Sequence, residues 1–284
     1  MLQIKVLPCI KSIFSALTRA EKKVAEIVLN DPSFVVYHTI TEVSGKAGVA
    51  DTTVVRFCRK LGFRGYFDFR ITLTQQLPQT DINGDSSENI STDDRVEDII
   101  QKLVRFNHCA IDETVSLMQP KEVKKAIDCF ENASRIMFYG TGNSGFMALE
   151  AQLKFMRIGL SANAYTDGHT MAMNAATLTE KDVAVGISFS GSSKDLVDAM
   201  GVAKQSGAKT ICITHHMKSP VTTHSDIKLL FGSRSSAIQS GMLITRASQF
   251  FVIDVLYTEY MRRNYEKASE VLNKTIYSII DKSY

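Results

Sequence analysis

The stretch that decides the fold of this chain is Gly140-Thr141-Gly142-Asn143-Ser144-Gly145. It follows the apolar run 135–139, which is typical of a buried strand, and it leads into Phe146-Met147-Ala148-Leu149, which is typical of the first turns of a helix. Glycine lets the backbone come close to a ligand, and the N–H groups at a helix start form a site for an anion such as phosphate. The pattern alone does not separate a binding loop from a tight structural turn, because both need glycine.

Downstream of this stretch, short apolar runs alternate with helical patterns. The run 183–187 has no polar side, as expected when helices cover both faces of a parallel sheet. The alternation predicts a doubly wound α/β domain. Within its first helix, Phe146, Leu149, Leu153 and Met156 share one face. The predicted strands are Ile136–Tyr139, Ala162–Tyr165, Val183–Ile187, Thr210–Thr214 and Ile227–Leu230, and the predicted helices are 145–157, 168–178, 193–205 and 240–263.

A second polar loop, Ser188-Phe189-Ser190-Gly191-Ser192-Ser193-Lys194, follows the strand 183–187. The residues Ser192 to Asp195 fit a capping box, so free N–H groups near 193–195 are expected to point back at the loop. Serine hydroxyls donate hydrogen bonds to phosphate oxygens or sugar hydroxyls. Neighbouring strand ends of an open α/β sheet form the usual ligand crevice. The loops at 140 and 188 are therefore predicted to hold one small phosphorylated ligand.

The N-terminal part predicts two short helices joined by a turn that contains glycine. Capping boxes at Thr18–Glu21 and Thr39–Glu42 open two of the helices in this part. Gly48-Val49-Ala50 forms the turn, and the helix 51–60 that follows it ends before Gly62. Two short helices in this arrangement are a helix-turn-helix.

The second helix of this pair has one apolar side and one polar, basic side. Val49, Val54 and Val55 are predicted to pack inward, so the opposite side faces the DNA major groove. Residues 1–78 carry eleven Lys and Arg against six Asp and Glu, whereas residues 79–98 carry one Arg against seven acids. The basic part is therefore predicted to meet a polyanion. The residues predicted to face the groove are Thr52, Thr53, Arg56 and Lys60. The candidates for phosphate contacts are Arg59, Arg64, Tyr66 and Arg70.

The bulk composition is that of a soluble globular protein, with 284 residues, 44% hydrophobic and 22% charged. No apolar run is long enough to cross a bilayer, and the N-terminus is not expected to be a signal peptide. Five scattered cysteines without a CxxC pair indicate free thiols in the cytoplasm. His215, His216 and His224 have no carboxylate or thiolate at a metal-site spacing, so no metal and no cofactor are predicted.

A competing interpretation is that the first loop binds a dinucleotide. The pattern GxGxxG after a strand is the dinucleotide fingerprint, and Asp167 lies about twenty residues beyond it, where a ribose-binding acid is expected. This reading would make the chain an NAD(H)-sensing redox regulator. It leaves the serine loop without a role and ranks second.

Taken together, the two halves resemble the RpiR family of bacterial transcriptional regulators over nearly the whole chain. Leu17–Ala25 and Val54–Gly65 resemble the family's helix-turn-helix. Gly140–Gly145 and Ile187–Ser193 resemble the two signature loops of the sugar isomerase (SIS) domain, a phosphosugar-binding α/β fold. The expected organisation is a helix-turn-helix domain at 1–77, a linker at 78–94 and a SIS domain with flanking helices at 95–284.

The resemblance implies a cytoplasmic repressor of a sugar or amino-sugar catabolic operon, controlled by a phosphosugar effector. An N-acetylated amino-sugar 6-phosphate is favoured. The implied phosphate contacts are Ser144, Ser188, Ser190 and Ser193, while His169 either faces the sugar or lies on the surface. Arg246 and Gln249 match a segment associated with dimer packing beside the site. The expected effector-binding set is Gly140, Gly142, Asn143, Ser144, His169, Ser188, Ser190, Gly191, Ser192, Ser193 and Arg246.

The SIS fold also occurs in isomerases, which makes a phosphosugar isomerase the third reading. Isomerase chemistry needs an acid or base near the sugar carbonyl, and no residue is assigned to that role. The chain is therefore not expected to be an enzyme. Its expected partners are double-stranded operator DNA, with an inverted repeat, and further copies of itself in a homodimer or homotetramer, without a membrane.

Overall fold

The computed structural model describes residues 5–77, 90–233 and 244–280. They form two compact units that divide between Asp94 and Arg95. Most of the predicted linker, residues 78–89, lies outside the described residues, and so do residues 240–243 of the last predicted helix. No helix in the described ranges has the length and hydrophobicity needed to cross a membrane.

The N-terminal unit is built from helices throughout its described part. Both predicted capping boxes are confirmed, because Thr18 with Glu21, and Thr39 with Glu42, exchange side-chain to backbone hydrogen bonds. The helices are α1 (Val6–Ile13), α2 (Arg19–Asn30), α3 (Pro32–Tyr37), α4 (Ile40–Ala47), α5 (Asp51–Lys60) and α6 (Tyr66–Gln76), with a short 3-10 turn at Phe14–Ala16.

The helices α4 and α5 form the predicted helix-turn-helix. Gly48 ends α4 in the left-handed conformation, with φ of 63°, which glycine adopts without strain. The Asp51 carboxylate, at the start of α5, accepts hydrogen bonds from the hydroxyls of Thr41 and Ser44 on α4. This carboxylate ties the two helices together at their turn. Their packed sides meet in a core that includes Val43, Val54 and Phe57.

The C-terminal unit is a five-stranded parallel sheet in the order β2-β1-β3-β4-β5, with helices on both faces. All five predicted strands are confirmed to within one residue at either end. Its elements are α7 (Val96–Leu117), α8 (Pro120–Asn132), β1 (Arg135–Tyr139), α9 (Asn143–Arg157), β2 (Ala162–Tyr165), α10 (Gly168–Ala175), β3 (Asp182–Ser188), α11 (Lys194–Gln205), β4 (Lys209–Thr214), α12 (Pro220–Thr223), β5 (Ile227–Leu230), α13 (Ile244–Arg263) and α14 (Tyr265–Tyr277).

Two apolar layers hold these helices to the sheet. On one face, α8, α9 and α13 pack around Phe130, Phe138 and Phe155. On the other face, α10 and α11 pack with residues that include Met171 and Met200. The central strand β3 is buried along its whole length, as its unbroken apolar sequence predicts.

The helix α9 carries an apolar face that this unit does not cover. Phe146, Leu149, Leu153 and Met156 share one face, as predicted, and each side chain is 46–63% exposed. We call these four residues the α9 stripe. The side of α9 that packs on the sheet is buried. It carries three small residues, Gly145, Ala148 and Ala151, and two large ones, Met147 and Phe155. Small side chains let the helix lie close to the strands.

An ion pair fastens the start of β1 to the start of β3. The Arg135 guanidinium donates to both carboxylate oxygens of Asp182, at 2.9 and 2.7 Å, and Thr179 donates to the same carboxylate from its N–H and hydroxyl. Arg135 and then the Thr179 bonds hold the pKa of Asp182 below its ordinary range. Because the folded pKa is lowered, the ionised carboxylate stabilises the fold above about pH 4 and loses this effect as the pH falls further.

Replacing Asp182 with asparagine is therefore expected to lower the free energy of unfolding by about 1–3 kcal/mol at neutral pH. It should also remove part of the loss of stability that the wild type shows below about pH 4. Urea denaturation followed by circular dichroism at several pH values measures both effects. The matched control is Asp198→Asn, which breaks an exposed pair with Lys194 and should change stability by less than about 0.5 kcal/mol. Equal effects of the two substitutions would contradict the prediction.

Candidate functional site

The two polar loops lie side by side at one end of the sheet. Strands β1 and β3 are neighbours, with Tyr139 opposite Gly186, so the loops that follow them begin next to each other. The chain leaves β1 for β2 on one side and returns to β3 on the other side. Such a reversal of strand order opens a crevice at the carboxyl ends of the strands, where open α/β sheets bind their ligands. The predicted adjacency of the two loops is confirmed.

The first loop, residues 140–145, is shaped by close backbone approaches. The Gly140 N–H donates to the Tyr165 carbonyl at 3.2 Å, and a Cβ at Gly140 would overlap the Ser144 carbonyl oxygen. Gly142 precedes α9 with φ of 57°, and no side chain caps the first turn of that helix. The helix start is therefore open to an anion, and Asn143 and Ser144 stand at its first two positions.

The second loop, residues 188–193, is held by bonds among its own serines. The Ser188 oxygen accepts the Gly191 N–H at 3.0 Å, and the Ser190 oxygen accepts the Ser192 N–H at 3.2 Å. Each of these two hydroxyls keeps its own proton for one more bond. Ser188 is only 4% exposed, whereas Ser190, Ser192 and Ser193 are half-buried.

The predicted capping box at Ser192–Asp195 is wrong. The Ser192 hydroxyl donates to the Ser190 carbonyl at 3.1 Å, so it closes the loop instead of capping a helix. Helix α11 begins one residue later than predicted, at Lys194, and its N-cap residue Ser193 makes no side-chain cap bond. The start of α11 is thus uncapped, like that of α9. Both loops present an open helix start to the crevice.

Arg246 lies 103 residues from the first loop in sequence and is brought to it by the fold. It stands in the first turn of α13, and its guanidinium donates to the Asn143 side-chain oxygen at 3.2 Å. The guanidinium is exposed and always charged. A cation is therefore available beside the open start of α9, where an anion would bind.

His169 is exposed and lies in the first turn of α10, and its backbone N–H donates to the Asp167 carboxylate at 3.1 Å. Asp167 accepts from Thr170 as well and so caps α10, and these bonds, that of Thr170 first, hold its pKa below the ordinary range. An acid at position 167 therefore has a structural role as a helix cap, which does not require that the chain binds a nucleotide.

Asp195 is a further residue of this region, predicted from the sequence only as part of a cap. A Cβ at Gly168 would lie 2.7 Å from the Asp195 Cγ, so the starts of α10 and α11 touch. This contact places the segment of His169 beside the serine loop. The Asp195 carboxylate is exposed and can accept hydrogen bonds from sugar hydroxyls. The sequence pattern that could have indicated Asp195 as a site residue is an acid in the first helical turn after a serine loop.

The outer side of α5 presents Thr52 and Arg56, both exposed, as predicted, and Arg59 is exposed as well. The predicted placement of Thr53 on that side is wrong, because Thr53 is 6% exposed. As the next residue of the helix, Thr53 points about 100° away from Thr52, toward the side that packs against the core of the unit.

Two further basic residues of the predicted DNA-binding set have protein partners. The Lys60 ammonium is bonded to the Ala16 carbonyl at 2.8 Å and to Glu21 at 3.2 Å, which ties α5 to the start of α2. Arg64 is highly exposed and pairs with Asp68 at 3.4 Å. Both cations remain at the surface, but Lys60 has a structural partner that the sequence did not reveal.

Tyr66 is wrong as a candidate for a phosphate contact. Its ring is buried, and its hydroxyl is shared between the carbonyl oxygens of Val35 and His38, at 2.9 and 2.8 Å. This hydroxyl fastens α6 to the end of α3. Arg70 is half-buried, with its guanidinium 5.8 Å from the Phe67 ring centroid, and desolvation lowers its pKa.

Two family models match the chain. The model described as a helix-turn-helix domain of the rpiR family matches residues 4–80, and the SIS domain model matches residues 130–259. The two ranges fall on the helical unit and on the unit with the parallel sheet.

Relatives match nearly the full length of the chain, and so does a solved structure. An uncharacterized HTH-type transcriptional regulator of Haemophilus influenzae is 34% identical over 97% of this chain and 96% of its own length. Another, from Caldanaerobacter subterraneus, is 34% identical over 95% of each chain. The Vibrio vulnificus NanR protein, solved in complex with ManNAc-6P, has a TM-score of 0.85 at 23% identity and covers 98% of this chain and 99% of its own. This last likeness establishes a shared fold.

Proposed function

The chain belongs to the rpiR family of helix-turn-helix transcriptional regulators and carries a SIS domain, and on that premise we propose that it represses a sugar or amino-sugar catabolic operon until a phosphosugar binds. The observation that carries this proposal is the pair of open helix starts, α9 and α11, that face one crevice with serines at both. The ManNAc-6P in the complex of the Vibrio vulnificus protein supports an N-acetylated amino-sugar 6-phosphate as the effector.

In the proposed complex, the phosphate lies between the two loops. Its oxygens accept hydrogen bonds from the N–H groups at the start of α9 and from the hydroxyls of Ser144, Ser188, Ser190 and Ser193, because phosphate is a strong acceptor of hydrogen bonds. Arg246 supplies a positive charge from the side. His169 and Asp195, on the neighbouring helix starts, are placed for the sugar hydroxyls.

The proposed regulator acts as a homodimer. The α9 stripe supports this, since four large apolar side chains on one helix face of a monomer are a typical site of association. Two copies related by a two-fold axis present two helix-turn-helix motifs, one from each copy, so the operator is expected to be an inverted repeat. An effector that binds better to the conformation with low DNA affinity shifts the population toward it.

The proposal also holds that the SIS domain here is a sensor without isomerase activity, and that the protein works in the cytoplasm, where the chromosome is. Calorimetric titration with ManNAc-6P tests the effector class, and titration with NADH tests the dinucleotide alternative. Binding of NADH with no binding of any sugar phosphate would overturn the proposal in favour of the redox regulator. Interconversion of ketose and aldose phosphates by the purified protein would favour the isomerase.

Replacing Arg56 with alanine is expected to weaken operator binding by about 5- to 150-fold for each half-site, because a side chain that reads a base edge contributes about 1–3 kcal/mol. A fluorescence anisotropy titration at fixed salt measures the effect, with an operator that is first selected from random duplex DNA. Binding of ManNAc-6P should be unchanged.

The matched control for this substitution is Arg95→Ala, which removes an exposed arginine that pairs with acidic neighbours in the C-terminal unit. It should leave operator affinity within about twofold of the wild type. Wild-type affinity in the Arg56 variant would show that α5 does not read the operator.

A further inference from the structure

The serine loop, residues 188–193, rests on the chain segment that follows β4. The Phe189 carbonyl accepts hydrogen bonds from the His215 N–H and from the Thr214 hydroxyl, each at 3.3 Å. The loop backbone is therefore fixed to a neighbouring strand end at its second residue. None of these contacts uses the serine hydroxyls that the proposed function assigns to the ligand.

The other end of the loop is fixed in the same way. The Gly191 carbonyl accepts the Val221 N–H at 2.9 Å. A Cβ at Gly191 would overlap the Ser219 hydroxyl, and Gly191 has φ of 60°, so only glycine fits there without strain. The loop is thus supported from behind at two points.

Three rings join the first of these points to the next strand. The Phe189 ring stacks on the His215 ring, with centroids 5.2 Å apart and planes 11° from parallel. The fully buried Phe231 ring lies 6.2 Å from Phe189 and 6.1 Å from His215. We call Phe189, His215 and Phe231 the His215 clamp.

A hydrogen bond fixes the rotation of the His215 ring. Its Nδ1 lies 2.9 Å from the Phe231 carbonyl oxygen. A carbonyl oxygen only accepts, so Nδ1 carries a proton and the ring cannot turn without breaking this bond. Because Phe231 directly follows β5, the ring that supports Phe189 is anchored to the sheet.

His215 was one of three histidines that the sequence brought forward as a possible metal cluster, and the fold shows another use for it. Within the described residues, no group of three or more His, Cys, Asp or Glu side chains is placed to hold a metal ion. The neighbouring His216 is buried, with its ring 4.7 Å from that of His215 at 72°. Both rings pack against Phe189.

We propose that His215 is a positioning residue for recognition of the phosphorylated effector, because it holds Phe189 and with it the two serines on either side. Ser188 and Ser190 flank Phe189 directly, so a displaced Phe189 ring displaces both hydroxyls. The inference rests on the proposed function for the identity of the ligand. The dependence of the loop on His215 does not.

The first test needs no ligand. In the full-length protein, hydrogen exchange followed by mass spectrometry reports on the N–H groups of Gly191 and Ser192, which are bonded to Ser188 and Ser190. His215→Ala removes the ring stack and the Nδ1 bond, so exchange at these amides is expected to be about 10-fold faster. His215→Phe keeps a stacking ring and should give a smaller increase. The control His224→Ala, at a half-buried histidine outside the clamp, should leave the loop unchanged.

The second test is calorimetric titration with ManNAc-6P. His215→Ala is expected to bind it about 10-fold more weakly, with partial recovery in His215→Phe and with unchanged operator affinity in the absence of the sugar phosphate. Wild-type exchange rates in His215→Ala would overturn the inference, and so would a loosened loop that still binds ManNAc-6P as tightly as the wild type. If the wild type itself binds no sugar phosphate, the proposed function fails, while the exchange result still decides whether His215 holds the loop.

Discussion

Replacing Gly140 with alanine is expected to abolish the response of operator binding to the sugar phosphate while operator binding itself persists. The added Cβ would overlap the Ser144 carbonyl oxygen and lie 2.7 Å from the Ser144 carbonyl carbon, both part of the backbone at the start of α9. Backbone cannot rotate aside as a side chain does, so the helix start and the loop must move apart. A hydrogen bond to a charged phosphate contributes about 1.5–3 kcal/mol, so losing one or two such bonds lowers affinity on the order of 100-fold.

Two measurements on the Gly140 variant check this expectation. Titration with ManNAc-6P should show affinity about 100-fold below that of the wild type, and anisotropy should show DNA binding that no longer falls when the sugar phosphate is added. The control for lost stability is Gly207→Ala, at φ of 90° and with no neighbour closer than 3.6 Å to the added Cβ. That variant carries backbone strain of about 1–2 kcal/mol outside the site and should keep the response. An intact response in the Gly140 variant would remove the first loop from the effector site.

Placing glutamate at both Leu149 and Leu153 is expected to convert the protein to a monomer and to weaken operator binding by about 10²- to 10⁴-fold. The two leucines stand in the middle of the α9 stripe, each close to half exposed. Burial of unpaired carboxylates at an interface is strongly unfavourable, and a two-fold axis brings like charges together. A monomer contacts only one half-site, so it loses the additional affinity that two linked DNA-binding units have for a two-part operator.

Analytical ultracentrifugation gives the oligomeric state of this double variant, and anisotropy gives its operator affinity. The matched control is Met173→Glu, which puts a carboxylate at a more exposed apolar position on α10, on the opposite face of the sheet. It should leave both quantities unchanged. A double variant that remains dimeric would show that another surface joins the two copies, and the operator would then be expected to bind normally.

Local patterns in the sequence were sufficient for the elements of the fold. The capping boxes at Thr18 and Thr39 and the five strands depend on residues within a few positions of one another, so their signal survives without tertiary information. The wrong capping box at Ser192 shows the limit of such patterns. The Ser192 side chain turns back to donate to the Ser190 carbonyl, instead of turning toward the helix, where a capping oxygen would accept an N–H.

The sides of short helices were less certain than their ends. Thr53 and Tyr66 have residue types found at DNA interfaces, yet Thr53 turns toward the core and the Tyr66 hydroxyl joins α6 to α3. A hydroxyl group is suited equally to a phosphate and to a backbone carbonyl. Only the positions of the neighbouring helices decide between the two.

For this protein, then, the sequence alone was enough to predict the class of the fold, the succession of strands and helices along the chain, and the two polar loops at strand ends. Each of these follows from local chemistry. Tertiary structure alone decided which distant residues meet at those loops. Arg246 reaches Asn143 across 103 residues, and His215 supports Phe189 across a strand crossover. It also decided that the α9 stripe faces outward, because the smaller side chains of the same helix fit closer to the sheet.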